Sequence, residues 1–377
     1  MTIKKLITRA ILLSFCLLPF CVAQANAADW MLFRGNASAT GQVDSEVKVG
    51  NNLKIAWETR LERDYFEATP IIVGNTIFAG TFDEGMLAFD LQTGTPKWRV
   101  PIANGISASA AYFEGRIFVG NSRGTLYALN AETGAQEWTF ETRGTIDSSP
   151  NIDAETKRVI VGSQSNSLFA LEAATGTLVW EYDSGDMIQC FPSIIGRHCF
   201  VAGCDGYLHV INLDTGERVS RIPLESPTGS TPVPAGDFVF VGTEGNEFLG
   251  INWKEEKVVW RFEMSRGARS PVAYRDGTLI FGGMDRIVYA LNAKTGEERW
   301  RYVTRGRIEA GAVIVGDKVY VPSMDSSLYV LDFQTGRLIE SIELTGRLST
   351  SPAVVANRIV IATDEGVLTS LQGDEEN

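Results

Sequence analysis

An eleven-residue pattern recurs at steps of 40 to 42 residues along this 377-residue chain, and that period limits the fold more than any other feature. Residues 128–138 read A-L-N-A-E-T-G-A-Q-E-W, with near-copies at residues 88–98, 170–180 and 290–300. Each has a small residue, then Asp, Asn or Glu two later, then Thr-Gly, then Trp four beyond the Gly. A chain this long ordinarily divides into two or three domains, but tandem repeats share one continuous core. One closed repeat array is therefore expected.

Two independent markers count the units. The Trp position falls at Trp57, Trp98, Trp138, Trp180, Ser220, Trp260, Trp300 and Glu340. A Ser-Pro pair or relative opens each unit, at Thr69-Pro70, Ser109-Ala110, Ser149-Pro150, Phe191-Pro192, Thr231-Pro232, Ser270-Pro271, Gly311-Ala312 and Ser351-Pro352. Both counts give eight. Within a unit, short β-branched and aromatic runs such as 117–119 and 126–129 alternate with Gly, Asn and Asp turns, which reads as strands joined by hairpins.

Four strands per unit, in tandem, bury both sheet faces by standing side by side, and radial closure leaves just short edges. The expected fold is all-β, an eight-bladed β-propeller of four-stranded blades. The last unit runs out before a fourth strand while a spare strand containing Trp57 stands at the start, so the N-terminal strand is expected to complete the last blade. In the repeat itself, Gly tolerates the positive φ of a tight turn, Asp or Asn bonds nearby backbone N–H groups, and Trp buries its indole between blades.

Outside the array, Lys4, Lys5 and Arg9 precede an apolar run and the small-residue site Ala25-Asn26-Ala27, the layout of a cleavable secretory signal over residues 1–27. Residues 28–52 read as an N-terminal extension pinned by Trp30, Leu32 and Phe33, residues 53–371 as the propeller, and 372–377 as an acidic tail. A periplasmic or secreted protein, with no membrane segment once the signal is cleaved, is expected to be monomeric. Loss of the three signal cations takes the formal charge from −12 to −15. Such a surface repels phosphate, which argues against nucleic acid as a partner.

The pattern A-x-[DN]-x-x-T-G-x-x-x-W resembles the tryptophan-docking motif of the quinoprotein propellers, a superfamily of PQQ-dependent alcohol dehydrogenases and non-catalytic BamB-type outer-membrane assembly proteins. The resemblance covers residues 53–371, and residues 30–36, W-M-L-F-R-G-N, look like the start of PQQ-like repeat proteins. It implies that Trp57, Trp98, Trp138, Trp180, Trp260 and Trp300 are docking residues between blades. Units four and seven depart from the motif at Ser220 and Glu340, and unit five reads Asn252-Trp253-Lys254-Glu255-Glu256 without Thr-Gly. These are positions where docking is lost without opening the ring, or where the surface is altered for a partner.

The enzymes of that superfamily carry long insertions, adjacent cysteines over the cofactor and a carboxylate and amide set for Ca²⁺. Here no cysteines are adjacent and the units hold to 40–42 residues. No C-x-x-C-H haem site or G-x-S-x-G elbow occurs. Unit four gathers Cys190, His198, Cys199, Cys204 and His209, but without paired C-x-x-C spacing. No metal site is expected there; a local disulfide, Cys190 with Cys204, or plain buried thiols are the readings.

Ligand contacts are sought three residues before each unit-start Pro or Ala, at the mouth of the central channel: Glu67, Ser107, Asp147, Gln189, Gly229, Ala268, Glu309 and Ser349. Nearby Arg63, Arg143, Arg266, Arg269, Arg305, Arg307 and Arg347 give that mouth mixed charge. Exposed charges pairing weakly with one another are one reading; a docking ring for a peptide or small polar ligand is the other. The expected function is a non-enzymatic scaffold for periplasmic or outer-membrane proteins, without a cofactor. The alternatives are a PQQ-dependent oxidoreductase with a small quinone and Ca²⁺ site at the channel mouth, and a polysaccharide- or small-ligand-binding propeller.

Overall fold

A computed structural model describes residues 29–43 and 47–374; the expected signal sequence and the last three residues of the tail lie outside the described residues. Eight four-stranded antiparallel sheets form the molecule. Blade 1 comprises, from the centre outward, β2 (Ile71–Val73), β3 (Thr76–Gly80), β4 (Met86–Asp90) and β5 (Pro96–Val100). The inner strands are fully or mostly buried, whereas outer strands such as Lys257–Glu263 alternate exposed and half-buried residues, the period-two signature of a strand with one wet face. Among the described residues no helix is long and apolar enough to cross a membrane.

The ring closes between the two ends of the chain. Strand β1 (Lys54–Arg60) lies antiparallel to Val367–Gln372, pairing Lys54 with Gln372 and Arg60 with Val367, and so becomes the outer strand of blade 8. A belt of hydroxyls repeats this closure near the axis. The Ser109 amide donates to Ser149 Oγ at 2.9 Å, the Gly311 amide to Ser351 Oγ at 2.9 Å, and the Ser351 amide to Thr69 Oγ1 at 3.0 Å across the seam. The unit-start Ser and Thr thus join one blade's backbone to the next.

Each repeat Trp also spans a seam. Trp98 Nε1 donates to Ala131 O of the next blade at 3.1 Å, and Trp57, Trp138, Trp180, Trp260 and Trp300 make the equivalent bond at 3.0–3.1 Å. Within its own blade the indole faces the small residue of the motif, as in the Ala290–Trp300 pair. Its other face receives the Thr-Gly glycine of the following blade. At Gly296, with φ 73°, an added Cβ would meet Trp260 Cδ2 at 2.7 Å, so the turn conformation and the close approach both require glycine.

Two seams are built differently. Blade 4 has Ser220 where Trp is expected, and blade 5 has Glu256 where the receiving glycine would stand. There Trp253 of blade 5 packs in the opposite direction, 4.7 Å from the His198 ring and 5.4 Å from the Phe200 ring of blade 4, with its Nε1 on Gly236 O at 3.0 Å. At the seam between blades 7 and 8, Glu340 Oε2 accepts from the Leu53 amide at 3.2 Å. At both seams a different contact stands where the Trp contact is missing.

The N-terminal segment crosses one end of the central channel. Amides of Ile72, Tyr112, Ile194, Tyr274 and Ile314, from blades 1, 2, 4, 6 and 7, donate to Trp30, Met31, Ala37, Thr40 and Gly41 at 2.7–2.9 Å. Asn151 of blade 3 donates its side-chain amide to Ala37 O at 2.8 Å. Trp30 is buried, and Phe33 packs on Phe191 with ring centroids 5.5 Å apart. The channel is therefore a cup with a floor made by residues 30–43.

Candidate functional site

The cup opens on the face opposite the plug and encloses about 200 Å³. Its floor is Phe33 and its lower wall is the hydroxyl belt, Thr69, Ser109, Ser149, Thr231 and Ser351. Seven of the eight rim positions expected from the sequence line it: Glu67, Ser107, Asp147, Gln189, Gly229, Glu309 and Ser349. In blade 6 the rim residue is Arg269, not Ala268. Spacing explains the correction. Pro271 occupies the place that Thr69 and Thr231 occupy in their blades, so the Ser-Pro pair of this unit is displaced by one residue and counting back three from its Pro overshoots the rim by one. The other expected arginines stand outside this lining: Arg143 is exposed with φ 66°, and Arg266, Arg307 and Arg347 line a neighbouring groove.

Charges in the cup are partly organised. Asp147 accepts from Ser107 Oγ at 2.6 Å and from Gln164 Nε2 at 2.5 Å. The Glu67 carboxyl is held above its ordinary pKa, first by desolvation at the wall and then by repulsion from Asp147. Glu309 pairs with Arg307, and Arg269 reaches Glu244 at 3.6 Å, with both of these side chains more than half exposed. Such exposed pairs contribute little to stability.

The cysteine and histidine residues of blade 4 do not converge on a metal. Cys190, Cys199 and Cys204 are free thiols, so the Cys190–Cys204 disulfide considered above is not formed. Burial pushes the Cys190 thiol up to about 12 and raises Cys199 as well, which keeps both protonated and poor as ligands. Among the described residues no three His, Cys, Asp or Glu side chains are placed to hold a metal ion. His209 is instead clamped between Tyr182 OH at 2.8 Å from Nδ1 and Asp205 Oδ2 at 2.9 Å from Nε2. Blades 6 and 7 make the same turn bond with tyrosines, Tyr289 to Asp285 at 2.7 Å and Tyr329 to Asp325 at 2.9 Å. The network is a hairpin clamp, legible only once the three units are aligned on the Asp.

A quinone at the channel mouth would have to fit these residues. Pyrroloquinoline quinone is a flat tricarboxylate, and the cup is smaller than the roughly 300–1,000 Å³ of small-molecule sites. Among the described residues its lining sets Glu67, Asp147 and Glu309 against one cation, Arg269. The cup does not fit the cofactor, and no reaction step through it follows.

The family model described as outer membrane protein assembly factor BamB matches residues 88–233 and 204–371. The chain belongs to this family. BamB of Shewanella oneidensis is 23% identical over 351 residues, covering 81% of this chain and 84% of that protein. BamB of Legionella pneumophila is 22% identical over 192 residues; the chain spans 50% of its length, and 39% of the BamB of Burkholderia pseudomallei. Among solved structures, BamB from Moraxella catarrhalis superposes with a TM-score of 0.72 at 22% identity, over 86% of this chain and 99% of that one. The quinohemoprotein alcohol dehydrogenase from Comamonas testosteroni gives 0.79 at 14% identity, over 93% and 82%. At these identities the structural likenesses speak to the eight-bladed fold alone.

Proposed function

We propose that this BamB-family chain is a non-enzymatic scaffold of outer-membrane protein assembly, working on the periplasmic side and binding partner proteins on the open face of its propeller. The observation that carries this reading is the plug. Residues 30–43 seal one end of the channel, and what remains is a shallow polar cup too small for the cofactor of the family's enzymes. The rigid face around the cup is broad, with a rim of both charge signs. Membership of the BamB family supports the assembly role, and the secretory layout of residues 1–27 supports the location.

Affinity capture from a periplasmic and outer-membrane extract, read by mass spectrometry, tests the proposal. Outer-membrane assembly proteins are expected to co-purify, and their absence from the captured set would overturn the reading. Adding PQQ and Ca²⁺ tests the oxidoreductase alternative. A quinone absorbance that co-elutes with the protein, together with dye reduction by alcohols or sugars, would replace the scaffold reading.

A further inference from the structure

Beside the cup, two cavities of about 540 and 480 Å³ run into one another over blades 6 to 8, because Arg307, Met324 and Arg347 line both. Arg266, Arg286, Arg307 and Arg347 stand along this groove, with Met284 and Met324 between them. The same lining holds Glu67, Asp285 and Asp364, so the four arginines leave an excess of one positive charge in a chain of formal charge −12. Arg307 is paired with Glu309, and Arg347 with Asp364 at 2.6 Å. Arg266 and Arg286 are exposed and make no ion pair among the described residues. The carboxylate at their end of the groove, Asp285, is engaged by Ser265 Oγ at 3.0 Å and Tyr289 OH at 2.7 Å.

The backbone under Arg286 is a second, independent observation. The turn between the second and third strands of every blade has one left-handed position. Gly85, Gly124, Asn166, Gly206, Asn246, Ser326 and Gly366 hold it in the other seven blades. Blade 6 places Arg286 there, with φ 71°. A long side chain is strained in this region, where Gly and Asn are favoured. Arg143, Lys157 and Glu225 take the same conformation elsewhere, but at this turn position Arg286 is the one long side chain among the eight blades.

We propose that this groove binds an extended acidic peptide segment with apolar side chains between its carboxylates. The inference rests on the reading of the open face as a protein-binding surface and names the chemistry of the partner. Guanidinium forks match carboxylates in two parallel bonds. The methionines supply adaptable apolar surface for the intervening side chains. A phosphate or sulfated sugar would use the cations and leave the methionine surface unfilled, which favours the peptide.

The test is fluorescence anisotropy with the full chain and a labelled eight-residue peptide alternating Glu and Leu, beside its counterpart with Gln for Glu. The Glu peptide is expected to bind roughly tenfold or more tightly than the Gln peptide, and to weaken as salt rises. Arg286→Gly relieves the turn, so it is expected to melt at or above the wild-type temperature while binding the Glu peptide about three- to tenfold more weakly. Arg266→Gln with Arg286→Gly should weaken it further. Equal binding of the two peptides, or undiminished binding by the double variant, would overturn the proposal. So would preference for heparin, phosphatidylglycerol vesicles or free PQQ over the peptide. If the peptide fails while the wild type still captures outer-membrane assembly proteins, the groove inference alone falls. If the peptide binds but no assembly protein is captured, the peptide chemistry stands and the assembly role falls.

Discussion

At His209 two opposed effects act on one imidazole, and burial is the larger. The ring is 1% exposed. Desolvation lowers its pKa, Asp205 raises it, and Arg221 and Arg218 lower it again, leaving the group below its ordinary value. A histidine whose folded pKa is depressed stabilises the fold fully above the unfolded pKa, about 6.5, and that contribution is lost as pH falls through the folded value. The melting temperature is therefore expected to fall between pH 7 and pH 5. His198 adds to the slope, since burial and Lys254 depress it too. His209→Tyr would recreate the arrangement of blade 7, where Tyr329 bonds Asp325 and lies 5.7 Å from Tyr302 as His209 lies against Tyr182. That variant is expected to stay within about 1 kcal/mol of wild type at pH 7 and to melt with a flatter pH dependence. An unchanged slope would assign the acid sensitivity to other groups.

At the scale of strands and seams, the joint between blades 4 and 5 shows that the motif is a two-part device. Its Trp and the following blade's Gly form one contact, and where Ser220 removes the first, Glu256 removes the second. Trp253 restores the buried aromatic from the other side of the joint. Trp253→Ala would leave Phe200 and His198 facing a cavity and free the Gly236 carbonyl, at a loss of about 3–5 kcal/mol. Thermal or urea unfolding would measure it; a loss near zero would mean that Trp253 is not the seam's replacement. The repeat was readable because each copy is local, so counting units needed no long-range contact. The rim was readable for the same reason, and Ala268 stood in for Arg269 only because one Ser-Pro pair is displaced by a residue. The reversed packing of Trp253 and the Asp205 clamp gave no such signal, since each depends on which neighbours a residue meets across a sheet.

For the whole molecule, the least legible feature is the floor of the channel. Trp30 and Phe33 marked residues 28–52 as a pinned extension, but nothing local indicates that the segment lies across the axis, because its bonds join residues 40 to more than 270 positions apart. The plug makes the two faces of the propeller unlike: one end is sealed by the chain itself, and the other is open. The bonds at the closing seam are made by β1 and the hydroxyl belt, not by the plug, so the two should separate by experiment. A chain lacking residues 29–43 is expected to unfold in a single transition at lower temperature, having lost the burial of Trp30, Ala39 and Val43. Hydrogen exchange locates the damage. The amides of Ile72, Tyr112, Ile194, Tyr274 and Ile314, which now donate to the plug, should lose protection because their partners are gone. The amides of β1 facing Val367–Gln372 should keep theirs, since that ladder is intact. Loss of protection at both would mean that the plug holds the ring closed, and the segment would then be a structural keystone as well as a seal.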